Sequence, residues 1–324
     1  MKGLFAIAIT TLTLGLAFSK PSVFRMTSDE LIQSINEKAT TWTARKNFEG
    51  YTDEQLARMA GVKAIFTNES QILPTIVHNV KADEIPDSFD SREQWAECES
   101  IKTIRNQGNC GSCWAFAAVE VMSDRLCISS AGAKTFTFSP EELISCCTAC
   151  GHGCDGGTLY EPFNYWVNTG IPSGGDEGSG LGCRPYTAAS TGETPQCSEQ
   201  CISGYSKSWA NDIRHGTTAY YVTNTVEQMQ QEIMTNGPVE AYMMVYSDFY
   251  SYGSGIYQYT QGSEVGGHAV KIIGWGTDND VPYWLIANSW GTNFGESGFF
   301  KMLRGSNDCQ IESYISAGSP NVDE

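Results

Sequence analysis

All twelve cysteines of this 324-residue chain lie at or beyond Cys98. That distribution divides it into a cysteine-free leader and a cysteine-rich body, residues 85–324, large enough to bury a sizeable core and to split into two lobes. Before the leader, Lys2, the apolar stretch from Leu4 to Leu16 and Ala17-Phe18-Ser19 form a signal-peptide pattern over residues 1–19. The apolar stretch is too short to span a bilayer, and no later one is long enough, so the expected product has no membrane span and matures where disulfides persist. A formal charge of −17 and the lack of a basic stripe argue against nucleic acid as a partner.

The leader carries two amphipathic helical patterns, Asp29 to Asn36 and Thr52 to Ala60, the second with Thr52 as N-cap and Gln55 three residues on. From Gly61 to Pro86 the pattern fades into a stretch that could run extended over a surface. Asn68-Glu69-Ser70 is the one glycosylation acceptor beyond the signal. In the body, helical patterns run from Trp114 to Leu126, after Ser139-Pro140, and from Tyr160 to Val167. After about residue 216, short β-favouring runs dominate: Val239–Val245, Ala269–Ile273, Tyr283–Ile286 and Phe299–Leu303. A helical lobe over about 97–217 and a β lobe over about 218–317 would leave a cleft between them, a usual place for a site.

The chemistry concentrates in Gln107-Gly108-Asn109-Cys110-Gly111-Ser112-Cys113-Trp114, which puts Cys113 in the first turn of a helix. Unpaired N–H groups and the helix dipole there favour thiolate, the reactive form. A thiol nucleophile needs a base, and the body offers only His152, His215 and His268. His152 lies in a cysteine cluster and His215 in a polar turn. His268 enters an apolar strand behind Gly266-Gly267, where a substrate backbone could approach closely. Asn288 in Ala287-Asn288-Ser289-Trp290-Gly291 could orient its imidazole, with the Trp290 indole excluding water. Cys146, Cys147, Cys150, His152 and Cys154 could be taken for a zinc cluster and Cys110–Cys113 for a redox pair; both are weaker readings than disulfides in a secreted chain. No metal or cofactor is expected.

These three motifs, in this order, resemble the papain family of cysteine proteases. His and Asn follow the cysteine by 155 and 175 residues, more than the ~130 to 150 of papain itself, and the excess resembles the cathepsin B branch. So do Phe89 to Trp95, Cys146-Cys147, Gly182 to Tyr186, Tyr246 to Phe249 and, in the leader, Thr41-Trp42. The resemblance implies an α+β, two-lobed fold: a helical lobe whose central helix starts at the nucleophile, an antiparallel β-barrel lobe, and the active site between them. It further implies a signal peptide (1–19), an inhibitory propeptide (20–84) lying backward through the cleft and a peptidase domain (85–324). Cys113 would be the nucleophile, His268 the base, Asn288 its orienter and Gln107 the oxyanion-hole donor. Gly156, Gly157, Gly267 and Trp290 would meet substrate. Leu159, Tyr242, Ala269 and Tyr314 would line the pocket for the second residue before the cleaved bond (P2).

By the same resemblance the disulfides are Cys98–Cys127, Cys110–Cys154, Cys146–Cys197, Cys147–Cys150 and Cys183–Cys201, with Cys309 left over. Peptide and protein substrates, the chain's own propeptide and cystatin-like inhibitors are the implied partners of a monomer, in a lysosome, an acidic vacuole or outside the cell. The chain departs from the branch in three places, the slightest being Phe294 where many relatives carry tryptophan, an aromatic exchange expected to change little. Cathepsin B proteins carry a long occluding loop with two adjacent histidines, whereas residues 184–196 here contain neither His nor Cys. They also carry a glutamate in the P2 pocket where Tyr314 stands, two residues after Glu312. An endopeptidase preferring apolar P2 residues is therefore expected. A catalytically silent, disulfide-rich binding or matrix protein on the same fold is the alternative, although such proteins usually lose the nucleophile.

Overall fold

The computed structural model describes residues 27–63 and 73–324. The signal-peptide pattern and Asn68 lie outside them. The chain runs α1 (Asp29–Lys38), β1 (Trp42–Ala44), α2 (Asp53–Met59), β2 (Thr75–Ile76), β3 (Phe89–Asp90), α3 (Ser91–Gln94), α4 (Glu99–Lys102) and α5 (Cys113–Ser129). It continues with α6 (Pro140–Cys146), α7 (Glu161–Asn168), α8 (Trp209–Asp212), β4 (Gly216–Val222), α9 (Val226–Asn236), β5 (Val239–Tyr246), β6 (Tyr252–Tyr257), β7 (Glu264–Asp278), β8 (Val281–Ala287), β9 (Phe299–Leu303) and β10 (Ile315–Pro320).

Local chemistry sets the helix starts. Ser28 Oγ accepts from the Leu31 N–H at α1. Thr52 and Gln55 close a reciprocal capping box at α2. Ser139 caps α6, with Pro140 opening it. Helix α5 is the core of the helical half: Cys113 to Cys127 is buried without a break, and its charged residues Glu120, Asp124 and Arg125 are tolerated there because each is ion-paired.

The strands form one mixed sheet in the order β1-β6-β9-β8-β7-β5-β10-β4-β2, with β3 paired to β7. Most neighbours are antiparallel; β6·β9 and β2·β4 are parallel. The two-lobed α+β fold is present, with the β lobe as a mixed sheet that is not closed. Its two ends, β1 and β2, are both leader strands, so the leader occupies the edges through which closure would have to run. Helix α9 also interrupts the β half; its apolar positions Met229 and Ile233 pack into the core while Thr225 caps its start.

Two large buried clusters flank the site. One surrounds α5 and includes Trp114, Phe116, Leu159, Tyr242 and Ala269. The other joins leader residues Leu31, Ile35, Trp42, Phe48, Leu56 and Met59 to Phe249, Tyr250, Tyr252, Tyr257, Trp290 and Phe294. The leader is thus packed into the hydrophobic interior of the β half. Trp42 anchors it, edge-on to Tyr257 at 5.1 Å with its indole N–H donating to the Gln258 carbonyl at 3.0 Å.

Candidate active site

Cys113 is the first residue of α5 and is fully buried. Its sulfur accepts from the Gly61 backbone N–H of the leader at 3.3 Å, and the Ala269 and Trp114 N–H groups also hydrogen-bond to it. The Ala269 contact brings the thiol to β7, next to His268. A buried ion cluster holds α5 and β7 in register: Lys271 Nζ, three residues beyond His268, meets Asp124 at 2.8 Å and Glu120 at 3.4 Å.

His268 Nε2 is 2.8 Å from Asn288 Oδ1. That oxygen also accepts from the Ser289 N–H at 2.9 Å, which fixes which way the amide faces. An oxygen can only accept, so the neutral ring carries its proton on Nε2 and keeps the Nδ1 lone pair. Nδ1 is buried and makes no hydrogen bond of good geometry among the described residues, although the backbone of the leader's Met59 acts on the ring in favour of its charged form. Trp290 covers the ring at 4.6 Å and is itself stacked on Tyr250 at 5.1 Å.

Gln107 is held beside them. Its Oε1 accepts from Ser289 Oγ at 2.7 Å, and its Nε2 donates to the Cys110 carbonyl at 2.8 Å and the leader's Met59 carbonyl at 3.0 Å. A leader carbonyl therefore sits where a side-chain amide could stabilise an oxyanion. The sulfur, however, faces the Gly61 amide nitrogen, so the leader offers it a hydrogen bond donor in place of a carbonyl carbon.

Beyond Gly61 the leader continues as a strand between two walls. Val62 N–H donates to Gly267 O at 2.9 Å, Lys63 N–H to Gly157 O at 3.1 Å, and Gly157 N–H to Gly61 O at 3.0 Å. Val62 pairs parallel to Gly157 and antiparallel to Gly267. Glycine is needed at both walls: a Cβ on Gly157 would lie 2.6 Å from the Trp114 ring, and one on Gly267 2.5 Å from Tyr242 and 2.9 Å from Val62 O. Gly156, at φ 108°, supplies the left-handed turn before this contact. Leu159, Tyr242 and Ala269 are buried in one cluster with Val62, and Tyr314 packs against it, edge-on to Tyr242 at 6.0 Å.

Burial sets the electrostatics. It pushes the Cys113 thiol up to about 11, outweighing the three N–H groups that favour thiolate, and it pushes His268 down to about 4 against the hydrogen bond to Asn288. The helix-dipole expectation of a thiolate is therefore opposed in the intact chain, where the sulfur is fully buried with the leader strand lying against it. Nucleophile and base rest as neutral thiol and neutral imidazole.

The structure joins Cys98 to Cys127, Cys110 to Cys154, Cys146 to Cys197, Cys147 to Cys150 and Cys183 to Cys201. Cys113 and Cys309 remain free and buried. Among the described residues no His, Cys, Asp and Glu group is arranged to hold a metal, and no helix is long and apolar enough to cross a membrane. Sequence reasoning missed the Met59 carbonyl, the Gly61 amide, Ser289 and Tyr250. A glycine inside a fading helical pattern was the one available signal for Gly61.

Residues 85–319 match the family model for papain family cysteine proteases, and residues 27–64 match that for the peptidase family C1 propeptide. The chain belongs to the papain family of cysteine proteases. Within that family it is 43% identical over 332 residues to a gut-specific cysteine proteinase of Caenorhabditis elegans, covering 99% of this chain and 100% of that one. It is 47% identical over 302 residues to cathepsin B-like cysteine proteinase 3 of the same organism, covering 89% and 81%. Among solved structures it is similar to procathepsin B S9 from Trypanosoma congolense, with a TM-score of 0.81 and 32% identity over 92% of this chain and 99% of that one. The papain family match covers both halves of the body, and the propeptide match ends one residue past the leader strand that crosses Cys113. The chain is a cysteine peptidase of cathepsin B-like relatives, made with its own propeptide.

Proposed function

We propose that this chain is the zymogen of a cysteine endopeptidase of the secretory pathway, acting in an acidic vacuole or lysosome or outside the cell. Cys113 is the nucleophile, His268 the base, Asn288 its orienter and Gln107 the oxyanion-hole donor. The observation that carries this reading is the leader strand Met59 to Lys63, which contacts all the expected parts of the cleft at once: Gln107, Cys113, Gly157 and Gly267.

With the leader gone, Cys113 Sγ attacks the substrate carbonyl carbon as its proton passes to His268 Nδ1. The carbonyl oxygen, now anionic, accepts the hydrogen bond that Gln107 Nε2 gives to Met59 O in the intact chain. Collapse expels the amine, which receives the proton from His268. Water, deprotonated by the same nitrogen, then hydrolyses the thioester and returns the thiol. Asn288 keeps Nδ1 directed at the reaction throughout.

Two finer features belong to this reading. The P2 pocket is apolar, formed by Leu159, Tyr242, Ala269 and Tyr314. Glu312 does not reach it as a counter-charge, because its carboxylate is taken by Trp284 Nε1 at 2.9 Å, Gly305 N–H at 2.6 Å and Asn307 N–H at 2.9 Å. The primed end of the cleft is open. The segment 184–196 lacks the occluding histidines and is tied to the helical half by Arg184 on Glu142, Tyr186 on Gln107 O, and Thr187 on Glu141.

The test is hydrolysis of fluorogenic peptides by acid-matured protein, with Cys113→Ala and an epoxide inhibitor as controls. Cleavage after Phe-Arg or Val-Arg, abolished in both controls and exceeding Arg-Arg, is expected. Efficient release of C-terminal dipeptides would refute the open cleft, and inactivity of correctly bridged, leader-free protein would refute the protease reading.

A further inference from the structure

The leader leaves a second imprint on the body, away from the catalytic residues. After Lys63 and a span of nine residues, it lies down on the edge of β4. Thr75 and Ile76 pair in parallel with Tyr221 and Val222. Tyr221 N–H donates to Pro74 O at 2.9 Å, and Ile76 O accepts from Thr223 N–H at 3.1 Å and Thr223 Oγ1 at 2.9 Å. Two residues on, Gln228 reads the His78 backbone from both sides: its Oε1 accepts from the N–H at 2.6 Å and its Nε2 donates to the carbonyl at 2.9 Å. The His78 ring reaches Glu232 Oε2 at 2.5 Å. Leu73, at the other end, is buried.

This is a built groove, and its parts belong to the body. Glu232 Oε1 is held by Arg125 and the Tyr220 hydroxyl, each at 2.8 Å, and Asn236 Nδ2 braces Oε2 at 3.1 Å. Burial alone would raise this carboxylate, but with the leader in place Arg125 and the hydrogen bonds from His78 and Tyr220 bring it to about 2. Beside the strand edge lies a cavity of about 320 Å³ walled by Leu159, Tyr160, Tyr221, Tyr242 and Tyr314, with Thr75 of the leader. Leu159, Tyr242 and Tyr314 also face the leader's Val62 cluster, so the groove and the cleft share a wall. The leader bridges the two with nine residues, at most ~32 Å of extended chain.

We propose that, once the leader has gone, the β4 edge with Gln228 and Glu232 is an exosite that captures an extended segment of a protein substrate. The segment takes its pattern from the leader: an apolar residue, a strand-forming pair, and a basic or imidazole side chain five residues after the apolar one. Edge pairing supplies affinity without regard to sequence, and Glu232 supplies the selection for a cation. The occupant is a substrate because the groove shares a wall with the cleft, so a chain seated in one can continue into the other. This inference rests on loss of the leader during activation, as proposed above.

The test uses acid-matured protein blocked by epoxide, with its mass checked first, and a labelled peptide of residues 73–80. Failure to mature or to take up the epoxide would count against the protease reading and be visible before any binding is measured. The peptide is expected to bind. Replacing His78 by Ala in the peptide, or Gln228→Ala in the protein, each weakens binding by about tenfold or more, the range for a charge-assisted or paired hydrogen bond. Glu232→Gln is avoided because it strands Arg125. In unblocked Gln228→Ala protein, KM for denatured lysozyme rises while hydrolysis of a Phe-Arg peptide is unchanged. The proposal is overturned if matured protein still carries residues 73–80, if the His78→Ala peptide binds as well as the original, or if Gln228→Ala leaves lysozyme cleavage unaltered.

Discussion

Alkylation of Cys113 by iodoacetamide at pH 7 should separate the intact chain from the leader-free enzyme by at least two orders of magnitude. Under the leader, burial holds the thiol at about 11, so roughly one molecule in 10⁴ carries a thiolate at pH 7. An ordinary cysteine near 8.5 is about 3% ionised at that pH. The ratio is about 300, before counting the imidazole or the helix terminus, both of which lower the uncovered thiol further, and before counting steric access. Rates would be read by mass spectrometry of the peptide containing Cys113. The second free thiol, Cys309, is buried beside Asp308, and burial pushes it up as well. It should stay unreactive in both forms and so serves as the internal control. Equal rates for Cys113 in intact and matured protein would refute the claim that the leader suppresses the nucleophile by desolvation.

Proton linkage gives a second expectation, best isolated in Cys113→Ala. Covered His268 sits at about 4 against an ordinary 6.5, so the uncovered state takes up a proton first as pH falls. Leader detachment in urea should therefore become easier from pH 6.5 down to 4, by up to about 300-fold in the equilibrium, and level off below; a flat profile would refute it. Gly61→Ala places a Cβ 1.9 Å from Gly111 O. Strain of roughly 1–3 kcal/mol should loosen the leader ~5- to 150-fold, seen as faster alkylation of the intact chain. Gln107→Ala should lower kcat/KM of matured enzyme ~10²- to 10³-fold with KM little changed. Lys271→Ala leaves Glu120 and Asp124 buried without their cation and should cost about 3–5 kcal/mol in thermal unfolding.

The elements that sequence pattern makes legible are those governed by local rules. The 3.6-residue periodicity and caps located α1, α2, α5 and α6 within a few residues, and Phe299–Leu303 is a strand over its expected span. Helix α9 escaped notice because its apolar positions, Met229 and Ile233, are few among Glu and Gln, and only docking on the β half makes them core. Open closure of the sheet was not legible either: β1 and β2 are three and two residues long, and their pairing is decided by distant partners. At the site, Cys113, His268 and Asn288 follow from residue chemistry and motif order. The charge state of Cys113 does not, because it turns on how deeply the sulfur is buried, and one of the groups facing it lies about fifty positions earlier in the chain.

The covalent bracing of the body is one-sided. Every bridge lies between Cys98 and Cys201, and none reaches β7, which carries His268, or β8, which leads into Asn288. Cys113 is thus mounted on a cross-linked frame, while its base rides on a lobe held by noncovalent contacts alone: strand pairing, packing and the Lys271 ion cluster. Heat or chaotropes in oxidising surroundings should therefore displace the base before the nucleophile, and a thiol reductant should reverse that order. The leader-free enzyme would thus fail in two recognisably different ways.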